Sequence, residues 1–139
     1  MTAGLERFVE AQRSTYDDAL AELSAGSKRN HWMWWIFPQI AGLGRSSTAQ
    51  RYAIRDAVEA RGYLLHPVLG SRLVECTGAM LGWAGRRGAE TILGAVDALK
   101  FKSSMTLFDA VSDDAGNSFA HALAAFCHGE RDPLTLDRL

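Results

Sequence analysis

His31, Asp97 and Lys100 are the residues of this chain whose side chains suit acid–base or anion chemistry beside aromatic surface. His31 opens the run His31-Trp32-Met33-Trp34-Trp35-Ile36-Phe37-Pro38-Gln39-Ile40-Ala41-Gly42-Leu43-Gly44, which holds three of the four tryptophans. An imidazole titrates near neutrality, so His31 is a candidate general acid or base. It equally suits a cap on the aromatic segment, bonded to a backbone carbonyl. Asp97 and Lys100 stand at helical spacing and can pair along a helix surface for a few tenths of a kcal/mol. Facing a cleft instead, Lys100 binds an anion, and Asp97 orients it or acts as a base.

Other polar residues converge on the same kind of site. Gln12 lies one turn from both Phe8 and Tyr16, and Arg72 one turn from Leu69 and Cys76. A polar group on an apolar stripe needs a partner, because burying it unpaired costs a few kcal/mol. For Gln12 that partner is a loop backbone or a ligand. For Arg72 it is Glu59, Glu75, or an oxyanion matched to its planar fork. Gln39 closes the aromatic run. Arg45 sits in Gly42-Leu43-Gly44-Arg45-Ser46-Ser47, which has half the form of a phosphate loop entering a helix. It lacks the third glycine of GxGxxG and the Gly-Lys-Ser/Thr of a P-loop. Trp32, Trp34 and Trp35 are candidates for the aromatic wall, since each ring buries about 150–250 Å2.

Several function classes lose support. The 139 residues suit one domain. A net charge of -1 gives no field for a phosphate backbone, so nucleic acid is not an expected partner. The basic pairs Lys28-Arg29 and Arg86-Arg87 read as solvated loop charges. No signal peptide pattern opens the chain, and the longest apolar run, 32–38, is far short of the ~20 residues that span a bilayer. Cys76 and Cys127 have no CxxC partner and read as two buried thiols, so the expected compartment is the cytoplasm. Histidine spacing matches no metal motif, so neither a metal nor a cofactor is expected.

The elements that must position these residues are helical. Leu5, Phe8, Val9, Gln12, Tyr16, Ala19, Leu20 and Leu23 form one face of an amphipathic helix ended by Gly26. The aromatic run is apolar all round and suits a short buried element, with Pro38 limiting any helix to a turn or two. Ser46 or Ser47 caps a helix through about Ala60, with Gly62 at its end. Pro67 falls in the first turn of the next helix, whose stripe is Leu69, Leu73, Cys76, Thr77, Met80 and Leu81. Residues 82–88 form a glycine- and arginine-rich turn, and a short segment 90–93 precedes Gly94. Ala98, Phe101, Met105 and Phe108 give the face of a helix over about 96–111. Ser118 caps a helix closed by Gly129, and a last turn starts near Pro133. No strand alternation appears. The expected architecture is all-α: a compact multi-helical single domain of about six to eight helices.

Taken together, these residues resemble the family known as domain of unknown function 1810. The matching blocks are Phe8-Val9-Glu10-Ala11-Gln12, His31 through Gln39, Gly42 through Ser46, Tyr52-Ala53-Ile54, Glu59-Ala60, Tyr63-Leu64, His66 through Leu73, and Asp97 through Phe108. The resemblance covers nearly the whole chain and implies a multi-helical fold; it brings no established catalytic residues. Members are sometimes labelled calpastatin. Composition argues against carrying that over, because such an inhibitor is a disordered, polar, proline- and lysine-rich chain. This one has 3 prolines and a wealth of core aromatics, so calpain inhibition is not expected. Lys100-Phe101 is also similar to a Lys-Phe pair in the N-glycosidase family acting on riboflavin-pathway intermediates and ADP-ribose conjugates.

Two readings follow. One is a binding or enzymatic domain for a polar anionic or nucleotide-like small molecule, with a tryptophan-lined pocket. The other is a non-catalytic module that uses an exposed tryptophan as an anchor for a protein partner. The N-glycosidase resemblance adds a more distant hydrolase alternative.

Overall fold

The computed structural model describes residues 3–139. A 3-10 turn, Ala3–Leu5, leads into α1 (Glu6–Arg13), α2 (Tyr16–Ser24), α3 (Met33–Ile36), α4 (Ser47–Arg51) and α5 (Ala57–Leu65). There follow α6 (Leu69–Leu81), α7 (Ala89–Leu93), α8 (Ala95–Val111), α9 (Ser118–Phe126) and α10 (Pro133–Leu136). The described residues are thus all-α, and their β structure is limited to one parallel bridge between Ile40 and Ile54.

Ten helices lie among the described residues, and six of them run to eight residues or more, in keeping with the expected six to eight, although two expected helices split. The 5–23 stretch breaks after Arg13. Thr15 Oγ1 donates to the Ala11 carbonyl (2.6 Å) and its N–H turns back to the Gln12 carbonyl (3.1 Å), a local competitor of the helical ladder. The helix expected to run to Ala60 stops at Arg51. Residues 53–55 extend instead, because the Ala41 N–H donates to the Ile54 carbonyl (2.7 Å) and the Ile54 N–H to the Gln39 carbonyl (2.8 Å). Asp56 then accepts from the Glu59 N–H (2.9 Å) and starts α5, which passes through Gly62 to Leu65. Pro67 lies just ahead of α6, and the N–H groups of Val68, at its N-cap, and of Leu69, its first residue, donate to His66 Nδ1. At the other end of the chain Asn117, rather than Ser118, caps α9.

α8 is the central element. From Phe101 to Phe108 it is buried on almost every side save Lys102, as a helix wrapped by neighbours must be. It packs against α5, α7, α9 and α10, while α6 bridges α2, α5 and α9. α5 and α6 approach so closely that a Cβ at Gly70 would overlap the Leu64 carbonyl oxygen. The aromatic run reaches this core through Phe37, which meets Phe101 edge-on with centroids 5.0 Å apart. Trp32, Ile36 and Phe37 are fully buried, each side chain contributing about 1.5–3 kcal/mol. Glu59 ties α1 to α5: its carboxylate meets Arg7 and Arg55, both at 2.8 Å. Arg7 also donates to the Arg51 and Ala53 carbonyls (2.7 Å each), which holds the extended segment in place.

Candidate functional site

The site begins with Glu22, in the last turns of α2. Its carboxylate accepts from the Arg29 N–H (2.6 Å), the Asn30 N–H (2.9 Å), Asn30 Nδ2 (2.6 Å) and Trp32 Nε1 (3.0 Å). Burial works against the charge, but these donors outweigh it and bring the Glu22 carboxyl down to about 2. The loop 27–31 is therefore wound around one anion. A second tie, from the Lys28 N–H to the Ile92 carbonyl (2.8 Å), delivers Lys28 to the first turn of α8.

There Asp97 lies between two ammonium groups, with Lys28 Nζ at 2.9 Å and Lys100 Nζ at 3.2 Å. The Lys28 side chain is only 9% exposed. Each lysine also lies over an indole: Lys28 Nζ is 5.1 Å from the Trp32 ring and Lys100 Nζ 3.8 Å from the Trp34 ring. Burial opposes ionisation of Asp97, yet Lys28 and then Lys100 hold its carboxyl below the usual range. The cluster carries two cations and one carboxylate, so it has an excess positive charge in a partly dry setting. His31 borders the same small hollow, of about 60 Å3, and is exposed.

Trp34 borders three adjoining cavities. The first is that hollow with Lys28, His31, Asp97 and Lys100. The second, about 440 Å3, opens between the 39–44 loop and α8, and carries Gln39, Lys100 and Lys102. The third, about 120 Å3, lies within the loop and is walled by Trp34, Gln39, Gln50 and Tyr52. α10 closes one side of the larger cavity. Asp132 Oδ2 accepts from Ser103 Oγ (2.9 Å) and Thr135 Oγ1 (2.6 Å), and its N–H donates to Thr106 Oγ1 (3.0 Å). Exposed Val96, Leu99 and Leu134 stand at the mouth.

Of the candidates raised from sequence, His31, Trp34, Gln39, Asp97 and Lys100 come together here. The others are placed elsewhere. Gln12 is 1% exposed; its Nε2 donates to the Trp35 carbonyl (2.8 Å) and Tyr63 Oη (3.1 Å). Arg72 donates to Gln12 Oε1 (3.3 Å) and stacks 4.5 Å from the Tyr16 ring, leaving Glu59 and Glu75 to other partners. Trp32 is core, and Trp35 donates Nε1 to Thr15 Oγ1 (2.9 Å). Arg45 is exposed and borders none of the three cavities; Ser46 closes the start of the five-residue α4 by accepting from the Ala49 N–H (3.0 Å). Of the Lys100-Phe101 pair only Lys100 faces the cleft, since Phe101 is buried against Phe37.

The expectation that Lys28 is a solvated loop charge is corrected by its ion pair to Asp97, while Arg86 and Arg87 stay exposed and flank the Trp83 ring. Lys28 had no local signal, because its partner arrives from α8. Lys102 and Tyr52 were likewise overlooked as bordering residues. Trp34, Trp35 and Trp83 are half-buried and Trp32 buried, so no tryptophan stands out as an exposed anchor.

Neither cysteine is set up for nucleophilic attack. Burial raises the thiols of Cys76, to about 12, and Cys127, both unpaired. No hydrogen bond joins His31 to Asp97 among the described residues. Among those residues there is also no cluster of three or more His, Cys, Asp or Glu side chains close enough to hold a metal. No described helix is long and apolar enough to cross a membrane.

Comparison with known proteins agrees with the fold. The conserved hypothetical protein Rv1873 of Mycobacterium tuberculosis, solved by crystallography, is 47% identical with a TM-score of 0.92. The similarity covers 97% of this chain and 95% of that one. No curated protein matches the sequence. Residues 2–139 match the family described as protein of unknown function (DUF1810), and the chain belongs to that family.

Proposed function

We propose that the protein binds a small anionic, nucleotide-like molecule in the cleft between the Trp34 segment and α8. The observation that carries this reading is the sharing of one carboxylate by two lysines. Lys28 and Lys100 both contact Asp97, and the Lys28 side chain is nine-tenths buried. Holding an unmatched cation in a partly desolvated position is unfavourable, and an anion beside Lys100 restores the balance. Aromatic walls with a few converging polar groups are the usual construction of such sites. The two free thiols support a reducing, cytoplasmic setting.

A thermal-shift series with phosphate, pyrophosphate and nucleoside monophosphates at constant ionic strength tests the reading. A ligand at a hundred times its dissociation constant adds about 2.7 kcal/mol. For a domain of this size that raises Tm by about 6–12 °C. A flat response across the series contradicts it. The alternative of a protein-docking module then gains, with Val96, Leu99 and Leu134 at the mouth as its apolar surface.

A further inference from the structure

We infer that the ligand carries a planar hydrogen-bonding heterocycle, and that the loop cavity between Trp34 and Tyr52 receives it, with Gln39 as the reading residue. This rests on the anionic-ligand reading and extends it to the other side of Trp34.

Three observations support the assignment. Gln39 is half-buried and borders both the loop cavity and the larger cleft, yet its side-chain amide has no hydrogen-bond partner among the described residues. Gln50 stands exposed at the rim of the same cavity; its Nε2 donates to the Arg45 carbonyl (3.0 Å), which leaves Oε1 open to solvent or a ligand. A primary amide presents a donor and an acceptor in one plane, which is what the edge of a nitrogen heterocycle requires. Trp34 and Tyr52 give this cavity aromatic walls, which suit apolar contact with a flat ring.

The cavity is also built in advance. The Gln39 carbonyl accepts from the Ile54 N–H (2.8 Å), and the Ala41 N–H donates back to the Ile54 carbonyl (2.7 Å). Gly42 turns at a φ of +97°, where the Arg138 guanidinium occupies the space a Cβ would take. A volume of about 120 Å3 is room for about four waters, the scale of one small ring rather than a chain. Trp34 and Gln39 border the larger cleft as well, so a ring here and an anion at Lys100 are the two ends of one molecule.

The test compares dissociation constants for inorganic phosphate, ribose 5-phosphate and the four common nucleoside 5′-monophosphates, by calorimetry. At least one nucleotide binds about tenfold or more tighter than ribose 5-phosphate. Gln39→Leu brings that ratio close to one, and an unchanged Tm shows the variant is folded. If every nucleotide equals ribose 5-phosphate, or the preference survives in Gln39→Leu, the heterocycle inference is overturned while the anion reading stands. If none of the phosphates binds, the anion reading falls and this one with it.

Discussion

Lys100 Nζ sits 3.8 Å from the centre of the Trp34 ring, with Asp97 Oδ1 on it at 3.2 Å. This contact joins the aromatic run to α8 at the point where three cavities meet. Its consequences can be measured one at a time.

Asp97→Asn leaves Lys28 and Lys100 facing each other without their carboxylate. Stability falls by about 1–2 kcal/mol, less than for a fully buried pair because water reaches the cluster. Added phosphate recovers more of the variant's Tm than it adds to the wild type, since both ammonium groups are then free for an anion. Equal phosphate responses in the two proteins would count against Asp97 as the group that balances the lysines.

Glu22 predicts an acid-sensitive loop. Its carboxyl is held at about 2 against an ordinary 4.5, so the stabilisation is fully present above pH 4.5 and is lost as pH falls towards 2. Glu22→Gln keeps an acceptor but not the charge. Its Tm is lower than the wild type's at pH 7, and the gap closes between about pH 4.5 and pH 2. Parallel Tm profiles across that window would show that the loop does not depend on this charge.

Gly70→Ala probes the α5–α6 crossing. The added methyl group meets the Leu64 carbonyl oxygen, a backbone atom that cannot turn aside. A loss of about 1–3 kcal/mol is expected, read by urea denaturation. Unchanged stability would show that the α5–α6 crossing has room for a methyl group.

Gln12→Leu separates structural polarity from the site. It strips the Trp35 carbonyl and Arg72 of a partner, which costs about 1–3 kcal/mol. Because Gln12 lies in the core away from the cleft, the phosphate dissociation constant changes less than about twofold. A larger change, checked by calorimetry, would place Gln12 in the binding machinery after all.

The helical class was legible because stripes such as Leu69, Leu73, Cys76 and Met80 repeat with the helical period and are buried in the structure. The breaks were less so. Thr15 ends α1 through a side-chain bond that spacing does not reveal, and the Ile40–Ile54 bridge is a non-local pairing. Five candidate residues converged because aromatic and charged groups at the ends of the tryptophan run and in α8 do face one another. Gln12 and Arg72 were indistinguishable from site residues in sequence, since a core amide bonded to a backbone carbonyl has the same pattern as one bonded to a ligand. Lys28 was misread for the opposite reason: a basic pair in a polar loop looks solvated until Glu22 winds the loop onto α8.

Tryptophan fluorescence on wild type and Lys100→Met, titrated with phosphate and with nucleoside monophosphates, tests the central claim most directly. Removing the ammonium group from the Trp34 face should alter the indole emission of the free protein and weaken anion affinity at least tenfold, a loss of about 1.4 kcal/mol. Saturable anion binding of equal affinity in both proteins, or none in either, would contradict the account.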